Sequence, residues 1–180
     1  YDIFIEKPEP LVPRTLRFTV PERVDAKGGV RLALDESAVE ALAGTLAAKG
    51  VESVAVGFLH SYANPAHERR AGEILAKKLP GVRISLSCDV CPEVREYERF
   101  STTCANAYVQ PLMGRYLESL RRRISQAGFA CPILLMTSGG GLTTLETAVR
   151  FPIRLVESGP AGGVILSTWI AERFGIDRIL

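Results

Sequence analysis

The spacing of apolar and polar positions changes several times along the chain, and each change predicts an element. Residues 8 to 13 are held extended by three prolines. Leu16, Phe18 and Val20 alternate with Arg17 and Thr19, the two-residue period of a half-buried strand. Val24 to Leu34 follows as a hairpin turning at Lys27-Gly28-Gly29, where glycine supplies positive φ at little cost. From Asp35 the period lengthens. Asp35 is a good N-cap, Val39, Leu42, Ala43 and Leu46 share one helical face, and Gly50 ends the helix. Val51 to Leu59 is mostly apolar, the pattern of a strand covered on both faces. Asn64 caps a second helix with Pro65 at its first position, and the stripe Ala71, Ile74, Leu75 and Leu79 runs to a stop at Pro80-Gly81. Val82 to Leu86 is a further strand. This alternation predicts a layered α/β lobe.

The second half repeats one theme. A charge-dense stretch, Pro92 to Arg99, precedes a helical pattern from Ser101 to Gln126, in which Pro111 removes one hydrogen bond and predicts a kink. Pro132 to Met136 is a short apolar strand that runs into Ser138-Gly139-Gly140-Gly141, then a short helix to about Val149. Ile153 to Val156 is the next predicted strand. It leads into Glu157-Ser158-Gly159-Pro160-Ala161-Gly162-Gly163 and a helix through Trp169 and Phe174; Ile176 to Leu180 starts a final strand.

Composition narrows the function classes. With 180 residues, 47% hydrophobic and 23% charged, the chain can bury a core. A net charge of +2 argues against a nucleic-acid or membrane-surface partner. The basic run Arg121-Arg122-Arg123 reads as a solvated face near a helix C-terminus. No apolar run approaches the ~20 residues of a membrane helix. The first ten residues carry Asp2, Glu6, Lys7 and Glu9, lack the apolar core of a signal peptide, and read like the interior of a longer protein. Of the four cysteines, Cys88 and Cys91 form a CxxC, but no second pair follows at zinc spacing and both histidines lie upstream. No metal site is assigned. The cysteines read as reduced thiols of a cytosolic protein.

Chemistry is most plausible where a strand meets a glycine-rich loop and then a helix, which happens twice, at 138–141 and at 157–163. The first amides of a helix lack internal partners and sit at the positive end of its dipole, so such an opening suits an anion, commonly phosphate. The competing reading is that the glycines serve tight turns and close packing. Neither loop is a P-loop, because no Gly-Lys-Ser/Thr follows, and the glycine spacing counts against a dinucleotide fold. Three isolated candidates remain. Asn106 and Tyr108 on the long helix suit a satisfied buried hydrogen bond, and His60, after a buried strand, is either structural or catalytic.

Five strings carry a family resemblance. They are Val54-Ala-Val-Gly-Phe-Leu-His-Ser-Tyr-Ala-Asn-Pro-Ala-His-Glu68, Val90-Cys-Pro-Glu-Val-Arg-Glu-Tyr-Glu-Arg99, Ser101-Thr-Thr-Cys-Ala-Asn-Ala-Tyr-Val-Gln-Pro111, Met136-Thr-Ser-Gly-Gly-Gly141 and Arg150-Phe-Pro-Ile-Arg-Leu-Val-Glu-Ser-Gly-Pro-Ala-Gly-Gly163. In this order they resemble the hydantoinase A/5-oxoprolinase family, which includes subunits of acetone and acetophenone carboxylases. The resemblance implies a partial RNase H-like lobe of the actin-like ATPase fold with an inserted α/β subdomain. Residues 1–100 would be the insertion, and residues 101–180 the remainder of the first lobe with its connector helix. Neither Asp-x-Gly-Gly-Thr phosphate hairpin of that fold occurs in the sequence, so the isolated chain is expected to be inactive.

The resemblance also implies a chemistry. ATP, with Mg²⁺, would phosphorylate a cyclic amide or ketone carbonyl before ring opening or carboxylation. Ser138, Gly139, Gly140 and Gly141 would form one wall of the phosphate or substrate cleft. Ser158, Gly159, Gly162 and Gly163 would face it, and Glu157 would orient a metal-bound water or else cap the helix. The implied partners are a small cyclic amide and a hydantoinase B-type subunit or domain, in a cytoplasmic oligomer. The alternative is a non-catalytic assembly module, or a subunit of a ketone carboxylase complex, suggested by the long amphipathic helix and the separate α/β lobe.

Overall fold

The computed structural model describes residue 4 and residues 9–179. The opening residues at 1–3 and 5–8, Pro8 among them, and the end of the final predicted strand at Leu180 lie outside the described residues. The chain divides into two units at Tyr108/Val109, inside one long helix.

In the first unit, a 3-10 turn at Arg14–Leu16 takes in Leu16, the first residue of the strand predicted at 16–20. Residues 17–22 are in no helix or strand, because no described strand lies alongside to take their amides. The predicted hairpin is present: β1 (Arg23–Val24) pairs antiparallel with β2 (Val30–Leu32). Asp25 holds its turn. The carboxylate accepts from the amides of Lys27 and Gly29, each at 2.9 Å, and from Arg31 Nε at 2.7 Å. Gly28 takes φ +83° there, as the turn requires.

Helix α1 (Glu36–Ala48) starts where Asp35 accepts the Ala38 amide at 2.9 Å. Strand β3 (Ser53–Val56) pairs in parallel with β4 (Arg83–Leu86), and α2 (Ala66–Lys78) is the crossover that a parallel pair needs. Pro65 is the N-cap of α2, one position earlier than expected in the helix, and Asn64 still accepts the Ala66 amide at 3.1 Å. Val39, Ala43 and Leu46 of α1 meet Ala71, Ile74 and Leu75 of α2 over Val56 in one core. Gly72 lets the sheet come close; a Cβ there would lie 3.0 Å from Leu86 Cδ2.

Past β4 the chain makes a short helix that periodicity misses, α3 (Ser87–Val90), and then α4 (Glu96–Gln126). Helix α4 starts five residues before the predicted Ser101 and continues through Pro111. The charge-dense stretch is not a solvated surface throughout. Arg99 and Glu68 are both fully buried, joined through Ser87. Glu68 accepts from Ser87 Oγ at 2.6 Å and from the amides of Phe58 and Cys88 at 2.7 and 2.8 Å. Arg99 donates to Ser87 Oγ at 3.2 Å and to the carbonyls of Glu93 and Phe58 at 2.6 and 3.1 Å. The sequence CxxC lies on this network. Burial, then the nearby Glu68 carboxylate, pushes the Cys88 thiol up to about 12, far from the thiolate that redox chemistry uses.

In the second unit, β5 (Leu134–Met136) pairs antiparallel with β6 (Leu142–Thr144), a strand that the apolar pattern does not predict. Thr144 caps α5 (Leu145–Arg150) by accepting the Thr147 amide at 3.3 Å. Leu117 of α4, Leu145 and Ala148 form the core, with Ile133, Leu135 and Leu155 packed on it. The strand predicted at 153–156 is instead a 3-10 helix, Pro152–Leu155. Pro152 has no amide to give a ladder and presets a helical first turn, and a four-residue, mostly apolar segment cannot by itself distinguish the two. Helix α6 (Ser158–Phe174) follows. Residues 176–179 form no strand. The α/β class thus holds, with small two-stranded sheets among the described residues.

Candidate functional site

Both glycine segments fall in the second unit and they meet. Met136 ends β5, and the turn reverses through Thr137, whose amide donates to Gly141 O at 2.8 Å. Gly140 closes the turn, donating to Thr137 O at 3.0 Å with φ +80°. The Ser138 amide and hydroxyl both donate to Arg154 O, at 2.8 and 3.1 Å, and tie the turn to the segment that enters α6. From the other side α6 packs on the same turn: a Cβ at Gly140 would lie 3.0 Å from Ile165 Cδ1, and one at Gly162 would lie 3.7 Å from Met136 Cγ.

The second glycine segment is not a loop. Helix α6 begins at Ser158, so Gly159, Gly162 and Gly163 lie in its opening turns. Pro160 sits in the first turn, where its missing amide costs nothing. Glu157, just before, adopts φ +65°, a left-handed conformation unusual for a non-glycine residue. Its carboxylate makes no cap bond to the helix, so the capping role considered for it is not realised. Strain of this kind persists where surrounding structure imposes it, and it clusters at functional sites.

The glycines now sort by physical cause. Gly140 is required by its backbone angle and by Ile165. A Cβ would make only ordinary contact with Met136 Cγ at Gly162 and with Thr137 Oγ1 at Gly141, each at 3.7 Å. Gly139, Gly159 and Gly163 have no positive φ, and a Cβ at any of them would meet nothing within 4 Å. A helical glycine is about 1 kcal/mol worse than alanine, so the fold gives no reason for two of them in α6. Gly44 of α1 is a similar case; what differs here is that two such glycines share the opening turns of one helix.

An open pocket of about 340 Å³ lies at the turn, lined by Thr137, Ser138, Gly139, Leu142, Thr143 and Arg154. Arg154 was missed by sequence reasoning, which placed it on a buried strand. The signal was there in Pro152, which makes the segment a turn and leaves the arginine exposed. The other candidates belong to the first unit. Asn106 is fully buried and donates to Ser85 Oγ at 3.0 Å, the structural role expected of it. Tyr108 is exposed. His60 is half-buried with φ +58°, and its Nδ1 lies 3.3 Å from the Tyr62 hydroxyl. Among the described residues, no group of three or more His, Cys, Asp or Glu side chains could hold a metal ion. None of the described helices is long and apolar enough to cross a membrane.

Comparison with known proteins adds what geometry cannot. The hydantoinase/oxoprolinase family model matches residues 99–180, and the model of the family's N-terminal region matches residues 1–79. The crystal structure of ATP-dependent caprolactamase from Pseudomonas jessenii superposes with a TM-score of 0.85 at 34% identity, covering 98% of this chain and 26% of that one. The nucleotide-free structure of acetone carboxylase superposes with a TM-score of 0.84 at 29% identity, covering 94% of this chain and 24% of that one. The 5-oxoprolinase of Saccharomyces cerevisiae is 38% identical over 131 residues, 73% of this chain and 10% of its own length. The chain spans about a quarter of the length of the curated relatives that match it from end to end. It is a member of the hydantoinase/oxoprolinase family.

Proposed function

We propose that this chain is the part of an ATP-dependent cyclic amide hydrolase that forms one wall of its nucleotide cleft. Residues 1–100 are read as the inserted α/β subdomain, and residues 101–180 as the remainder of the first lobe with its connector helix. The observation that carries the site assignment is the patch where the Ser138–Gly141 turn and the start of α6 meet. Gly139, Gly159 and Gly163 have no side chain there and the fold has no use for its absence, whereas a phosphate approaching the backbone does. The amides of Ser158 and Gly159 open a 17-residue helix, so they have no carbonyl a turn earlier to bond and sit at its positive end.

When bound, ATP supplies a phosphoryl group to the carbonyl oxygen of the substrate, which makes an inert amide electrophilic. The chain's own share of the work is positioning and charge neutralisation. Backbone amides of α6 and of Gly139 hold anionic oxygen, and Glu157 projects from a fixed, left-handed position beside them. Among the described residues no three His, Cys, Asp or Glu side chains cluster as metal ligands, and no step is routed through a metal on this chain.

The test uses the full protein that contains this sequence. With ATP and a panel of hydantoin, 5-oxoproline and caprolactam, one of the cyclic amides should stimulate phosphate release well above the ATP-only rate. If none does, the hydrolase reading fails. A second reading is supported by the superposition on acetone carboxylase: stimulation by a ketone with bicarbonate, and by no cyclic amide, would establish that one instead. A hydantoinase B-type partner subunit or domain, an oligomer and a cytoplasmic location complete the proposal; copurification and size-exclusion chromatography with light scattering check the first two.

A further inference from the structure

The pocket beside the Ser138 turn has an uneven supply of hydrogen-bond donors. Thr137 Oγ1 already donates to Gly141 O at 3.1 Å, and Ser138 Oγ to Arg154 O at 3.1 Å. Leu142 has none to offer. What remains among the lining groups is the Gly139 amide, the Thr143 hydroxyl and the guanidinium of Arg154. Arg154 is the single charged residue of the lining, and among the described residues no carboxylate pairs with it.

Its side chain is nevertheless held. The guanidinium carbon lies 4.7 Å from the centre of the Phe151 ring, and Arg150 lies 5.0 Å from the same ring. Stacking on a ring occupies the face of a guanidinium and leaves its edge N–H groups free for a fork-like, bidentate contact. The main chain of Arg154 is fixed too, its amide donating to Phe151 O at 3.1 Å and its carbonyl taking both Ser138 bonds.

We propose that Arg154 is a phosphoryl-binding residue, anchoring a phosphate group in the pocket between the Ser138 turn and the Pro152–Leu155 helix. The proposal deepens the nucleotide-using reading above and rests on it for the choice of phosphoryl over other oxyanions. It adds a full positive charge to this wall, where the backbone amides supply only partial charge.

Calorimetric titration of the full protein with pyrophosphate and with a non-hydrolysable ATP analogue tests it. Arg154→Ala should weaken both at least about tenfold, the loss expected for a bidentate charge-assisted pair. Arg154→Lys, which keeps the charge and loses the fork, should fall between. Melting curves should be unchanged, because the side chain is exposed. Pyrophosphate binding that is absent in the wild type, or equally strong in Arg154→Ala, overturns the proposal. So does displacement of the analogue by glutarate through Arg154, which would make the site a carboxylate site. The two readings fail separately. If Arg154→Ala loses pyrophosphate while no cyclic amide is turned over, the hydrolase reading falls and the anchor stands. If amide-dependent turnover and ATP KM are untouched in Arg154→Ala, the anchor falls and the hydrolase reading stands.

Discussion

Arg99 carries a full charge into the first core because its donors find acceptors there: the Ser87 hydroxyl and the carbonyls of Glu93 and Phe58. Replacing it by methionine keeps the volume but strands those carbonyls and leaves buried Glu68 without a nearby buried cation. Arg99→Met should therefore cost about 3–5 kcal/mol in urea unfolding, the usual consequence of removing one member of a buried ionic network. Periodicity could not find this residue, since a charge-dense string is normally a wet surface, and only the folded chain shows which of its charges is enclosed. Gly140→Val combines a left-handed φ of +80° with a Cβ 3.0 Å from Ile165. A loss of about 1–3 kcal/mol is expected in the same assay, together with loss of ATP turnover in the full protein; unchanged turnover would place the turn away from the chemistry. The thiols separate as well. Cys131 is exposed, whereas Cys88 is half-buried beside Glu68 with its pKa pushed up to about 12. Iodoacetamide at neutral pH should label Cys131 first and leave Cys88 for the unfolded protein, as peptide mass spectrometry would show.

At the scale of elements, caps and periods were legible wherever a helix carries its own stop and start signals. Asp35 caps α1, and the α1–α2 core is the set of stripes read from spacing. Short strand-like segments were not, because their outcome depends on partners distant in sequence: 16–20 has no strand beside it among the described residues, and 153–156 coils behind Pro152. The Asp35 cap has a pH signature. The Ser37 hydroxyl and then the Ala38 amide hold its carboxyl below the ordinary value of 3.8, so its contribution is fully present above that value and fades as pH falls through the lower folded-state value. Asp35→Ala should lower Tm at pH 7, and the gap from wild type should close on acidification below 3.8; a gap independent of pH would mean that the carboxylate is not the cap. Helix α6 allows a sharper distinction. Gly159→Ala meets nothing within 4 Å, so it should stabilise the fold by about 0.4–1 kcal/mol. If a ligand approaches that backbone, the same variant should also lose nucleotide affinity. Stabilisation without any loss would return α6 to a purely structural role.

For the whole molecule, the match to ATP-dependent relatives along nearly the full chain gives the glycine patch a chemical context that its geometry alone does not. The patch itself was half legible. Strand, glycines and helix start were visible in order, but the contact between turn and helix, the left-handed Glu157 and the exposed Arg154 depend on how residues 150–158 fold back over β5. The central claim, that the turn at 138–141 and the start of α6 grip one phosphate-bearing ligand, is tested most directly by amide hydrogen exchange of the full protein with and without a non-hydrolysable ATP analogue. The account predicts slowed exchange on binding at Gly139 and Gly141 together with Ser158 and Gly159. Protection confined to other segments, with both of these unchanged while the analogue is bound, would contradict it.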